Sequence, residues 1–236
     1  MADVTIDSTK AYLAEAPGAK TGVILIHEVW GLNDQIRSVA DRLAAEGFTV
    51  LAPDLLAGTG VTDLVSPELI AAVTDPATRD AAQPKLRAAM APLSEPEFGA
   101  RTVESLKQCF AYLKDLPGIE RVAAWGFCFG GSYSFSLACA EPELAVAIVF
   151  YGHAPSESEL ATIACPVYGF FGEKDEPLVA ALPELDATMK RLGKRFTHTV
   201  YPGVGHAFFN DTNPNIYDRK TAADAWGKVL KILHSL

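Results

Sequence analysis

The chain is poor in several things, and each shortage removes a class of answer. Of its 236 residues only four are cysteine, at positions 109, 128, 139 and 165. None belongs to a CxxC pair or stands at metal-ligand spacing from the five histidines, so neither a zinc module nor a disulfide framework is expected. No apolar run reaches the roughly 18 residues of a membrane span. Cations are outnumbered, 20 Lys and Arg against 29 Asp and Glu, for a net charge of −9. Phosphate backbones are met with Lys and Arg, so a nucleic-acid partner is not expected. The opening MADVTIDSTKAYLAEAP lacks the basic start and apolar stretch of a secretory leader, and a reducing, cytoplasmic setting is expected. There is no internal repeat and no low-complexity segment.

Apolar residues are plentiful, at 49%, and they are patterned. A continuous β-branched run at 22–26 reads as a strand buried on both faces, and 48–52, 122–127, 145–151, 167–171 and 196–201 read as further strands. Between them lie helical patterns. Asn33 caps one that runs to about Glu46 and stops at Gly47; others span 97–115, 130–140, 178–192 and 217–236. Such alternation predicts βαβ units, a mostly parallel central sheet and helices on both faces. One domain over 1–236 is expected, with an insertion at about 57–98 whose prolines and mixed helical stretches do not read as a further strand–helix unit. In such sheets, function gathers at the carboxyl ends of the strands.

Three strand ends carry chemistry. Gly126-Phe127-Cys128-Phe129-Gly130-Gly131 follows a strand run and precedes a helix run. This is the spacing of a nucleophile elbow, G-x-S-x-G with cysteine for serine. The turn forces the nucleophile into strained φ/ψ, and glycines at minus two and plus two leave room for the close backbone. The helix that follows aims its free N–H groups at the site. The rival reading is a buried structural cysteine in a glycine-rich turn. Without a Lys-Ser/Thr pair or GxGxxG spacing, a phosphate-binding loop fits poorly. Cys109, Cys139 and Cys165 lie in apolar patterns and are assigned to packing.

A cysteine nucleophile needs a base, and the base an orienting acid. Asp175 stands just past a strand in FFGEKD, and His206 past the next in GVGH. The order nucleophile, acid, histidine on successive strand ends is that of an α/β-hydrolase triad. Glu173 and Glu176 compete with Asp175; His153 follows a strand end and is a candidate lining residue; His198 lies mid-strand and His234 near the end of the chain. After the first strong strand comes His27-Glu28-Val29-Trp30-Gly31. In this fold that loop supplies the second oxyanion N–H. His27 and Glu28 read either as a solvated strand end or as part of the site, where Glu28 would face the cysteine and either take the thiol proton or hold a second charge in tension with it.

Taken together, HEVWG, APDLL, GFCFGG, FYG, FFGEKD and GVGHAF resemble the dienelactone hydrolase family of α/β-hydrolases, in order along the whole chain. The resemblance implies Cys128 as nucleophile, His206 as base and Asp175 as its orienting acid. It implies Glu28 as the carboxylate that holds the resting thiol and accepts its proton when substrate arrives. It implies the backbone N–H groups of Val29 and Phe129 as the oxyanion hole. One position departs from the pattern. The family member that opens dienelactone has an arginine four residues after the histidine, gripping the substrate carboxylate; here that position is Asn210. A second arginine lies before the elbow, and Arg79, Arg87 and Arg101 are its candidates. The missing charge-assisted pair weakens the case for dienelactone itself and favours a different ester, lactone or carboxylate-bearing substrate.

The expected reaction is hydrolysis of a small ester or lactone through an acyl-cysteine, without metal or organic cofactor, by a monomer that needs no membrane or nucleic acid. A thioesterase or cysteine peptidase with the same triad, a non-catalytic small-molecule binding protein, and a redox-sensing thiol are the alternatives.

Overall fold

The computed structural model describes residues 1–75 and 77–236. An eight-stranded sheet runs through them in the order β1-β2-β4-β3-β5-β6-β7-β8. Its strands are β1 (Ala2–Ile6), β2 (Thr9–Ala14), β3 (Thr21–Ile26), β4 (Thr49–Pro53), β5 (Arg121–Phe127), β6 (Val146–Phe150), β7 (Val167–Gly172) and β8 (Phe196–Tyr201). Only β2 runs against the rest; β4, β3 and β5 through β8 are mutually parallel. The mostly parallel sheet of the sequence reading is therefore present, with an N-terminal hairpin added at one edge. That hairpin turns through Asp7 at φ +50° and pairs Ile6 with Thr9.

The central strands bury both faces, as their unbroken apolar runs require. Val23, Leu25, Trp125, Phe127, Ile148 and Phe150 pack on one side. Ile24, Ile26, Ala124, Ala147 and Val149 pack on the other. Helices cover the two sides separately. The first is met by α1 (Asp34–Ala45) through Ile36, Val39 and Leu43, and by α9 (Arg219–His234) through Ala225, Val229 and Leu233. The second is met by α5 (Pro96–Asp115) through Leu106, Phe110 and Leu113, and by α6 (Phe129–Ala140) through Phe135 and Leu137. Asn33 caps α1, its side chain accepting from the Ile36 N–H at 3.2 Å. Within the first core Trp125 is fully buried among Phe127, Phe150, Phe209 and Trp226, and its Nε1–H has no partner among the described residues.

Residues 57–98 fold as α2 (Val61–Leu64), α3 (Pro67–Thr74), α4 (Arg79–Met90) and a 3-10 turn at Ala91–Ser94, leading into α5. With Leu56 they form a small core of their own, Val61, Val65, Ala89 and Phe98, packed against Trp30, Phe129 and Tyr133. These helices thus lean on the residues next to Glu28 and Cys128. A cavity of about 680 Å³ opens beside α3 and α4, lined by Leu64, Leu69, Ala82 and Ala89, with Glu68 and Lys85 at its polar parts. It contains none of the strand-end residues.

Candidate active site

The strand ends converge because the sheet register puts them side by side. Ile26 pairs with Gly126, and Phe127 with Phe150. β5 stops at Phe127 and α6 begins at Phe129, leaving Cys128 alone at the corner with φ +54° and ψ −112°. A non-glycine residue held there is strained. The Cys128 N–H donates to the Phe150 carbonyl at 2.9 Å, which ties the corner to β6. The glycines at either side are steric necessities. A Cβ on Gly126 would lie 1.9 Å from the Gly130 carbonyl oxygen, and one on Gly130 would lie 2.2 Å from that of Ile26.

The loops after β7 and β8 are bound to each other. The Glu173 N–H donates to Tyr201, the Lys174 N–H to Val204, and the Glu173 carboxylate accepts from the Gly203 N–H. Between them the Asp175 carboxylate meets Nδ1 of His206 at 2.5 Å. Of the three acidic candidates in this loop, Asp175 is the one bonded to the histidine; Glu173 is spent on Gly203 and Glu176 is exposed. Cys128 is close enough to His206 to hydrogen-bond its ring. Burial pulls the imidazole down, but the neighbouring Cys128 and the Asp175 carboxylate outweigh it, and His206 is held protonated well above the ordinary histidine range.

Glu28 is buried in the middle of this group. Its Oε2 accepts from Asn210 Nδ2 at 2.7 Å and its Oε1 from the Tyr151 hydroxyl at 3.3 Å. Burial raises the carboxyl's proton affinity, although His206 and the hydrogen bonds from Asn210, Tyr151 and Trp30 pull the other way. The Asn210 amide is oriented by Thr212, whose N–H and hydroxyl both donate to Oδ1, at 3.1 and 2.6 Å. Tyr151, at φ +39° just past β6, also lays its ring against His206 at 4.9 Å between centroids. Burial, with Glu28 and Cys128 beside it, keeps this phenol firmly un-ionised. Among the described residues, neither the Val29 nor the Phe129 backbone N–H donates to a protein acceptor. Trp30, Phe98, Phe129 and Tyr133 form an aromatic wall alongside.

This arrangement of strand ends, elbow and histidine matches one family from the second strand onward. The dienelactone hydrolase family model covers residues 9–236. The chain belongs to the dienelactone hydrolase family. It is 32% identical over 243 residues to the "Putative carboxymethylenebutenolidase" of Saccharolobus solfataricus, covering 95% of this chain and 93% of that protein. A protein of the same name from Synechocystis is 30% identical over 241 residues, covering 95% and 90%. Among solved structures, the "Putative Dienelactone Hydrolase" of Klebsiella pneumoniae superposes with a TM-score of 0.83 at 22% identity, over 100% of this chain and 98% of that one. At that identity the superposition speaks for the fold. Family membership makes the chain an ester or lactone hydrolase with a small-molecule substrate.

Placed in a dienelactone hydrolase framework, the remaining candidates separate clearly. His198 bonds Asp186 of α8 (Glu176–Arg191) at 3.3 Å, His234 packs on Phe48, and His153 is exposed, its backbone N–H donating to the Ser132 hydroxyl of α6 at 2.8 Å. Cys109 and Cys139 are pushed up to about 12 and Cys165 to about 11, mainly by burial. Arg79 and Arg87 stand exposed on α4; Arg101 lies over the Phe98 ring at 5.4 Å and is the candidate attached to the aromatic wall. Sequence reasoning missed Tyr151 and Thr212. FYG marked a strand end, but nothing in it distinguishes a tyrosine that bonds Glu28 from one that fills the core. Among the described residues no cluster of three or more His, Cys, Asp or Glu is arranged to hold a metal, and no helix is long and apolar enough to cross a membrane.

Proposed function

We propose that this dienelactone hydrolase cleaves a small, uncharged ester or lactone through an acyl-cysteine on Cys128. The observation that carries the reading is the position of His206, bonded to Asp175 on one side and within reach of Cys128 on the other. The Cys128 thiolate attacks the carbonyl carbon, and the negative charge that develops on the carbonyl oxygen is taken by the N–H groups of Val29 and Phe129. Such donors commonly supply about 3 kcal/mol or more of transition-state stabilisation. Glu28, with proton affinity raised by burial, accepts the thiol proton as the substrate arrives. The tetrahedral intermediate collapses, the C–O bond breaks, and His206 protonates the departing alkoxide. His206 then removes a proton from water, the resulting hydroxide attacks the thioester, and the acid leaves as the Cys128 thiolate is released, which takes its proton back from Glu28. Asp175 holds the imidazole tautomer throughout.

The preference for an uncharged substrate follows from Asn210. Its amide is engaged by Glu28 and Thr212, so it offers no cation to a substrate carboxylate. The same reading has the enzyme as a single-domain cytoplasmic monomer acting without cofactor.

Two substrates, dienelactone and p-nitrophenyl butyrate, are run side by side with Cys128→Ala as the blank, and acid-quenched samples are weighed for acylated Cys128. The expected result is faster turnover of the neutral ester, a Cys128-bound butyryl group, and loss of about 10⁴-fold or more in the blank. Full activity in Cys128→Ala would overturn the nucleophile. Preference for dienelactone would overturn the substrate class. Turnover of butyryl thioesters far ahead of both would indicate a thioesterase, and saturable binding with no turnover a binding protein.

A further inference from the structure

His27 precedes Glu28 and has so far been given no task, yet every polar atom it carries is committed. It is fully buried. Its Nε2 lies 3.0 Å from the Leu55 N–H, and its Nδ1 lies 2.6 Å from the Glu28 carbonyl oxygen. A backbone N–H can only donate, so Nε2 is the acceptor. The ring is then the neutral Nδ1–H tautomer, and that N–H donates to Glu28. Burial opposes a second proton and keeps the ring neutral. The His27 carbonyl in turn accepts from the Gly130 N–H at 3.1 Å, and the ring stacks on Phe129 with centroids 5.8 Å apart and planes 8° from parallel. One residue thus joins the chain beyond β4, the loop after β3, and the elbow.

The consequence lies in the peptide that links Glu28 to Val29. That unit is planar and trans, so its carbonyl oxygen and its N–H point in opposite directions. The oxygen is held by two donors, His27 Nδ1–H and the Gly31 N–H at 3.2 Å. Fixing the oxygen fixes the N–H of Val29. Two donors on a carbonyl also polarise the amide, which makes its N–H a better donor. We infer that His27 is a positioning residue for the oxyanion hole, locking and polarising the Glu28–Val29 peptide so that the Val29 N–H meets the developing oxyanion.

The inference rests on the proposed role of Val29 and is tested apart from it. His27→Leu fills the space with neither donor nor acceptor; His27→Phe does the same while keeping the stack on Phe129; His27→Gln restores an N–H donor and a carbonyl acceptor. For each, kcat and KM are measured on p-nitrophenyl butyrate. The affinity for butanal is measured too, since it adds to the thiol to form a hemithioacetal whose oxygen sits where the oxyanion would. The alkylation rate of Cys128 by iodoacetamide is the control. In Leu and Phe variants kcat should fall about 10- to 100-fold, less than or close to the loss of a whole oxyanion donor, with KM within about threefold. Butanal affinity should fall in parallel while alkylation holds, and Gln should recover most of the lost rate. Unchanged kcat and butanal affinity in a folded Leu or Phe variant would overturn the inference. So would an alkylation rate that drops as far as kcat, because His27 would then be supporting the nucleophile. If Leu and Phe variants both fail to fold, His27→Asn takes their place, since its shorter amide does not span from the Leu55 N–H to the Glu28 carbonyl: lost kcat and butanal affinity with alkylation intact support the role, and wild-type values for all three overturn it. Should Cys128→Ala retain activity, the proposed reaction fails whatever His27 does. A dead Cys128→Ala beside an unaffected His27→Leu removes only the histidine's role.

Discussion

At the carboxyl ends of β3, β5 and β6 the backbone is packed until no side chain fits between the strands and the elbow, whereas beside α3 and α4 the chain stands open around a cavity of about 680 Å³. Both regions border the same aromatic wall. The first takes its geometry from sheet register: pairs such as Ile26 with Gly126 and Phe127 with Phe150 decide where Glu28, Cys128 and Tyr151 must lie. The second takes its geometry from short helices sharing a core of a few apolar side chains. A site that must hold its groups to a fraction of an ångström is built on the first kind of support.

Four substitutions break or sharpen that contrast. The largest effect is expected from Gly126→Ala, whose added methyl would sit 1.9 Å from a backbone oxygen. The corner must open, and the variant should lose about 4 kcal/mol or more in denaturant unfolding together with esterase activity. Near-normal folding would mean that the elbow is more yielding than the register implies. Asn210→Leu comes next. It leaves buried Glu28 without its shorter hydrogen bond, and chemical denaturation should register a loss of about 1 to 3 kcal/mol.

The third is read through pH. Burial keeps the Glu28 proton on in the folded chain above its ordinary value of 4.5. From that value upward the unfolded chain has released a proton that the folded chain still holds. Stability from this group therefore falls as pH rises, until the folded carboxyl ionises as well. Raised His206 acts in the same direction over a higher window: its contribution is full below the ordinary histidine range and is lost as pH climbs through the folded value. In Glu28→Gln the lower part of the slope should disappear, so melting temperatures compared between pH 4 and pH 8 should favour the variant increasingly toward pH 8. An unchanged slope would show that Glu28 ionises in the folded protein as it does in the unfolded chain. Smallest of all is Leu64→Lys, at an exposed position on α2 beside the cavity. Stability should move by no more than about 0.5 kcal/mol and kcat not measurably. A tenfold drop in kcat would make the insertion part of the active site.

Much of this architecture is legible in the sequence, for a physical reason. Strands buried on both faces show as continuous apolar runs, and β3 through β7 declare themselves, whereas edge strand β8 mixes Thr197, His198 and Thr199 with Phe196 and Val200 and shows only by its place in the alternation. The β1–β2 hairpin does not, because an edge ribbon is half exposed and mixes Asp3 and Lys10 with Val4 and Leu13. The inserted helices are masked by proline. Read along the chain, Pro67, Pro92 and Pro96 look like breaks, yet in the fold they occupy first-turn positions, where the missing N–H costs nothing. The grouping of Cys128, Asp175 and His206 follows from chain order and strand ends. The bond from Asn210 to Glu28 spans 182 positions, and no local pattern carries such a contact.

The three tryptophans give the molecule an optical record of itself. Trp125 is sealed in the first core among phenylalanines, its Nε1–H without a partner among the described residues. Trp226 lies beneath the Arg42 guanidinium at 4.2 Å. Trp30 is half-buried, packs on the core of the inserted helices, and hydrogen-bonds Glu28. Emission from Trp125 belongs at the blue edge and reports the integrity of the sheet, while Trp30 answers to the charge on one carboxyl and to the helices leaning on it. Filling the site and melting the fold should therefore change the spectrum at different wavelengths.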